Sequence, residues 1–385
     1  MKNLIPLFLI SLMFACGKPS SQENAAEAEA DSVYLKKEDF QKEIDGKQTD
    51  LYVLENENGV TVYLTNYGAR IVGIITPDLD GNLTDISPGY SSIDEYIEKG
   101  MYLGCVVGRY ANRIKDGKFS LDNVDYTLAI NNGPNALHGG EKGFDKQVWD
   151  VVEKQDTIVF SYTSKEGEEG YPGTMNVTVA YSLNSENELS LEYSATTDRK
   201  TIINLTNHNF FNLKGEGEGT ILDHYLQINS NYITPVDSTL IPTGSLLSIQ
   251  NTPFDFNEGK VIGQDIEEDH QQLIFGQGYD HNWVVNQEVL GDLTFAAKLW
   301  EPTTGRYVEF SSTEPGLQVY TGNFMRGQNT GKAGKKYEFR SAIALESQHF
   351  PNSPNQENFP STILLPNDTY HQLTVWKFGV MDEWE

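Results

Sequence analysis

Basic residues are in short supply in this chain: 28 lysines and arginines stand against 55 aspartates and glutamates, for a formal net charge of −27. A surface that negative repels polyanions, so nucleic acid and phosphorylated molecules are poor partners and a neutral ligand is favoured. Cysteine is scarcer still, with only Cys16 and Cys105. Cys105 sits in the apolar run YLGCVVG and is expected as a buried free thiol, which leaves no disulfide framework. Apolar runs are short, and the one at residues 4–14 cannot stably span a bilayer. Helical signals are equally sparse. Ser92-Ile93-Asp94-Glu95 has capping-box spacing and opens a turn or two that end by Gly100. No linker-like composition and no fixed-period repeat interrupts residues 33–385, which predicts one domain there.

What the chain does contain begins with an address. Lys2, the apolar run and then Ala15-Cys16-Gly17 resemble a bacterial lipoprotein signal, in which Cys16 would be lipidated and become the new N-terminus. Residues 1–16 are expected as that signal, and the small, polar, acidic residues 17–32 as a flexible tether. The chain would then be an exported protein of a bacterial periplasm or cell envelope, touching the membrane only through its lipid.

From residue 33 the pattern is almost all strand. Alternating apolar positions recur at 59–67, 70–81, 175–181, 189–195, 226–228, 295–299, 307–310, 318–320, 343–346 and 373–378. Asp122-Asn123 separates two such runs as a hairpin turn. Twenty tyrosines and 34 glycines suit a β-rich fold with many turns. The expected architecture is all-β, a large antiparallel sandwich.

Polar clusters fall at the ends of these runs. In Asn204–Leu213, NLTNHNFFNL, His208 lies between two asparagines where a strand would leave the core, and imidazole is the side chain that exchanges protons most readily near neutrality. Arg109, Asn112 and Arg113 in GRYANRI offer several hydrogen-bond donors to hydroxyls. His138 precedes a Gly-Gly turn that allows close backbone approach. Asp280 stands between Tyr279 and Trp283, an aromatic pair with a carboxylate of the kind sugars stack on. Gln318 follows EPGL, and Glu346 ends the apolar run AIALE, where burial raises a carboxyl's pKa toward that of a usable base.

Taken together, GRYANRI, NALHGGEKGFDKQVW, NLTNHNFFNL, TPVDSTLIPTG, PFDF, YDHNW, EPGLQVYTGN and LESQHFPNSPNQENFP resemble, in order, the signature blocks of the aldose 1-epimerase, or galactose mutarotase, family. The resemblance implies a galactose mutarotase-like supersandwich and interconversion of the α and β anomers of free aldohexoses such as galactose and glucose. It places His208 at the family's general acid and Glu346 at its general base. Asn112, Arg113, His138, Asp280 and Gln318 match substrate-binding positions, with Arg109 supporting them. Many relatives carry a tyrosine where Phe210 stands.

This chemistry needs an acid and a base on opposite sides of the C1–O5 bond, and no cofactor. Neighbouring carboxylates would keep His208 cationic at rest. A structural calcium ion is compatible with so acidic a chain, and the protein is expected as a monomer. Three other readings compete: a glycoside hydrolase using Asp280 and Glu346, a sugar-binding sandwich without catalysis, and an epimerase of hexose phosphates, which would want more clustered cations than Arg109 and Arg113. A zinc site from His138, His208 and His281 is the least favoured, since no pair has ligand spacing.

Overall fold

The structure, a computed structural model, describes Met1 and residues 35–384. Apart from Met1, the expected signal and tether lie outside the described residues. Nine strands form the largest sheet, in the spatial order Asp150–Lys154, Thr157–Ser164, Met175–Leu183, Glu188–Thr197, Tyr370–Val380, Arg306–Ser312, Thr294–Trp300, Tyr225–Ile228 and Lys260–Val261. All of its pairings are antiparallel. The alternation seen in the sequence is the cause: Met175–Leu183 and Glu188–Thr197 bury every second side chain. Val177, Val179, Tyr181, Leu189, Leu191 and Tyr193 thereby enter one continuous core. Each such apolar side chain stabilises the fold by roughly 1.5–3 kcal/mol relative to exposure. The last strand of the chain, Tyr370–Val380, occupies the middle of this sheet, paired with Glu188–Thr197 on one side and Arg306–Ser312 on the other.

A six-stranded sheet contributes Leu317, Val319, Ile343 and Leu345 to the same core. Its order is Phe210–Phe211, Ile343–Gln348, Gly316–Tyr320, Asp280–Val285, Ser230–Thr234 and Leu247–Ser248. A four-stranded sheet built from Leu51–Glu55, Thr61–Thr65, Arg70–Pro77 and Leu83–Asp85 adds Val62, Leu64, Ile71 and Ile74. The all-β expectation holds.

Local signals behave as their chemistry dictates. Lys118–Leu121 pairs with Val124–Thr127 across Asp122 and Asn123, both left-handed (φ 52° and 63°), the conformation a two-residue hairpin turn demands. Helix Ile93–Lys99 starts on Ser92, whose hydroxyl accepts the Glu95 N–H, and stops at Gly100. A second helix, Gln271–Gly276, carries no sequence signal of the usual kind, because its cap is His270, whose Nδ1 accepts the Gln272 N–H at 3.3 Å. Cys105 is buried and free.

Candidate active site

Three neighbouring strands of the six-stranded sheet build the floor. Gln318 lies opposite Glu346, and Asp280 opposite Tyr320. The pleat sends alternate residues to opposite faces, so Leu317, Val319 and Leu345 enter the core while Gln318 and Glu346 face away from it. The same pleat corrects one expectation. Tyr279 and Trp283 do not flank a ligand; both are fully buried in the core, the phenol donating to Pro253 O at 2.8 Å and the indole to Phe254 O at 3.1 Å. Asp280 alone of that group turns to the cavity. His281 shares the inward face: its Nδ1 accepts the Asp280 N–H at 3.1 Å, its ring packs on Phe254, and burial pushes its pKa down to about 3. His138, His208 and His281 therefore do not converge. Glu346 instead joins His138 and His208, their ligating atoms within 4.8 Å of one another.

Gln318 lies outside the cavity lining and acts on it through Asp280, donating from Nε2 to Oδ1 at 2.7 Å. The Arg113 guanidinium stands 3.7 Å from the other Asp280 oxygen and donates from Nε to Asn132 Oδ1 at 3.1 Å. Asn112 and His138 lock the adjoining wall: the Asn112 N–H donates to His138 Nδ1 and the His138 N–H to Asn112 O, each at 3.1 Å. With Nδ1 accepting, the hydrogen-bond network assigns the ring proton to Nε2. Gly139 follows in the left-handed region (φ 88°), where a Cβ would stand 1.9 Å from Gly108 O. Only glycine brings the chain that close.

His208 is fixed by its backbone, its N–H donating to Cys105 O at 2.9 Å and its carbonyl accepting the Gly104 N–H at 3.0 Å. The flanking asparagines serve the same clamp: Asn207 Nδ2 donates to Gly104 O and Tyr181 Oη, and Asn209 Oδ1 accepts the Ser87 hydroxyl. Tyr102, His138 and Phe210 surround the imidazole with ring centroids at 5.9, 5.2 and 5.0 Å. Its Nε2 lies 3.6 Å from Glu346 Oε1. Arg109 is a second correction. Its guanidinium is buried away from the cavity, donating to Pro172 O, Gly173 O and the Ser164 hydroxyl, where it ties together the two ends of the connection between Thr157–Ser164 and Met175–Leu183.

Burial dominates the electrostatics. Desolvation raises the Glu346 pKa well above a carboxylate's usual value; the charge on Asp280 adds to this and Arg113 opposes it. Asp280 is also raised by burial, against Arg113 and Gln318. Desolvation pushes His208 down to about 4, with Arg70 contributing in the same direction. His138 is driven well below the ordinary histidine value by burial, then by His208 and Arg113. The expectation of a cationic resting His208 is not met, because burial outweighs the backbone hydrogen bond that favours the charged ring.

The cavity measures about 600 Å³, with Glu346, His208, His138, Asp280, Arg113 and Asn112 among its lining residues. Sequence reading missed Tyr102, Tyr320, Phe275 and Phe324, which also line it. Tyr320 had a legible signal, two positions beyond Gln318 on the same strand face. Ser238, Thr239 and Leu240, inside the TPVDSTLIPTG block, also line the cavity.

Known proteins carry the same arrangement of sequence. The sequence model of the aldose 1-epimerase family matches residues 50–377. Galactose mutarotase of Sus scrofa is 41% identical over 319 residues, covering 83% of this chain and 91% of the relative. Aldose 1-epimerase of Escherichia coli K12 is 35% identical over 338 residues, 87% and 96% of the two chains. Among solved structures, the aldose epimerase homologue from C. elegans superposes with a TM-score of 0.80 at 31% identity, covering 86% of this chain and 99% of its own. Galactose 1-epimerase from Lactobacillus acidophilus gives 0.76 at 29% identity, covering 88% and 97%. With its sandwich, its histidine–glutamate floor and a match across most of its length, this chain belongs to the aldose 1-epimerase family.

Proposed function

We propose that this protein is a mutarotase that interconverts the α and β anomers of free aldohexoses such as galactose and glucose. The observation that carries the reading is the Glu346–His208 pair, 3.6 Å apart at the floor of a polar-walled cavity. In the active arrangement His208 carries a proton and Glu346 is a carboxylate. Hydrogen bonds from the bound sugar replace solvation that burial removed and so favour this ionic form. Glu346 takes the proton of the C1 hydroxyl while His208 protonates the ring oxygen, and the C1–O5 bond breaks. The aldehyde rotates about C1–C2 and closes on its other face with the proton movements reversed. His138, as an Nε2–H donor, and Asp280, as an acceptor, supply complementary partners for sugar hydroxyls. Arg113 is the one lysine or arginine among the described lining residues and is already matched to Asp280, which favours an uncharged sugar over a phosphorylated one.

Polarimetry of freshly dissolved α-galactose tests the reading. Catalysed loss of optical rotation is expected from the wild-type chain and its near-absence from His208→Asn; a His208→Asn protein as fast as wild type would refute the assignment. The sequence of residues 1–16 further supports an exported lipoprotein that meets sugars outside the cytoplasm. Release of a Cys16→Ser protein from the membrane fraction is the expected result.

A further inference from the structure

We propose that Asn282 and Gln348, behind the cavity floor, hold ordered water against Glu346 Oε2, so that solvent rather than a protein group is the hydrogen-bond partner of the catalytic base. The observation is a row of unpaired groups. Thr234 lies opposite Asn282, Asn282 opposite Gln318, and Gln318 opposite Glu346. Residues paired in this way share a face, so adjacent strands of the six-stranded sheet each place one polar side chain in the row. Gln348 follows on that face, two positions beyond Glu346. All of these residues are buried. Thr234 Oγ1, Asn282 Oδ1 and Nδ2, Gln318 Oε1, Glu346 Oε2, and Gln348 Oε1 and Nε2 nevertheless find no hydrogen-bond partner among the described residues.

Seven unpaired buried atoms on one patch are destabilising unless something small and polar meets them. Water fits the set. A buried water makes about three hydrogen bonds, so about two molecules suffice, and their O–H groups match the four amide and carboxylate oxygens. The amide NH2 groups of Asn282 and Gln348 donate to a water oxygen and would repel a cation. Gly316 lies opposite Gln348, and a Cβ there would stand 2.3 Å from Asn282 Oδ1. Glycine thus leaves the Asn282 amide free to lean toward Gln348. Glu346 has need of a donor. Its Oε1 lies 3.6 Å from His208 Nε2, and of the charged or titratable groups around it, Asp280, Arg113, His138 and His208, none donates to Oε2. A water O–H at Oε2 favours the carboxylate that the reaction requires, against the desolvation that raises its pKa. The water site stands on geometry alone, while its effect on catalysis rests on the mutarotase reading.

A high-resolution crystal structure of the wild-type protein tests the site. Ordered water within hydrogen-bond distance of Glu346 Oε2 and of the Asn282 or Gln348 amide is expected. An Oε2 bonded directly to an amide N–H, with no water in the row, overturns it. Gln348→Met, close in size but without the amide, reads the effect on the base, and Asn282→Leu repeats the reading from the neighbouring strand. Each should raise the alkaline limb of kcat/KM for galactose by about one pH unit and lower kcat/KM at neutral pH roughly tenfold, one unit of pKa being a factor of ten. A merely structural role would reduce activity without moving the limb, so a limb left in place by both variants overturns the coupling to Glu346. Wild-type protein that accelerates neither glucose nor galactose defeats instead the mutarotase reading, and the crystal structure still decides the water site.

Discussion

In the proposed reaction Glu346 and His208 serve the same hexose as base and acid, and that coupling governs what single substitutions do. Glu346→Gln and His208→Asn should each lower kcat by roughly 10²–10⁴, and the double variant little further, because the two act as a unit; polarimetry at saturating galactose reads this directly. The pH dependence follows from the signs of the shifts. A second proton enters the pair only when His208 is protonated, near pH 4, so kcat/KM should not fall between pH 7 and pH 5.5 as it would for an ordinary histidine. The last proton leaves at the raised Glu346 value, which sets the alkaline limb. Asp280→Asn removes a like charge from beside Glu346, lowers that value, and should move the alkaline limb to lower pH while reducing kcat/KM. A limb that stays in place would show that Asp280 is electrostatically remote.

At the scale of the element, catalysis depends on strands buried on both faces. Every residue of Ile343–Gln348 is buried, with Leu345 in the main core and Glu346 beside His208. Leu345→Ala should cost about 2–5 kcal/mol in urea unfolding, with activity per folded molecule much less affected, because the damage lies on the face away from the sugar. The sequence made this strand readable: AIALE is an apolar run with one carboxylate, and a charge in such a place needs a reason. His208, Asn112 and His138, which also line the cavity, were legible as polar residues at the ends of apolar runs, His138 beside a glycine turn. Tyr279 and Trp283 were misassigned because adjacency in sequence suggests adjacency in space, whereas the pleat sends neighbours to opposite faces. Arg109 was misassigned for a related reason: one guanidinium can satisfy carbonyls of a loop remote in sequence, and nothing local in GRYANRI separates that duty from ligand binding. Tyr102, ahead of the first block, and Phe324, between two of them, lie on loops, where no periodicity marks the direction of a side chain.

For the molecule as a whole, the charge of −27 is a statement about which substrates arrive. Mutarotation of galactose should be nearly insensitive to ionic strength, whereas galactose 6-phosphate should be a much poorer substrate whose kcat/KM improves with added salt. Equal rates for the two sugars at low salt would contradict the assignment to neutral aldoses. The middle position of Tyr370–Val380 sets the order of events at birth. Until Tyr370–Val380 has been made, Glu188–Thr197 and Arg306–Ser312 have no strand to join them. Closure of the large sheet therefore waits on a pairing between strands far apart in the sequence, the kind of contact that forms slowly.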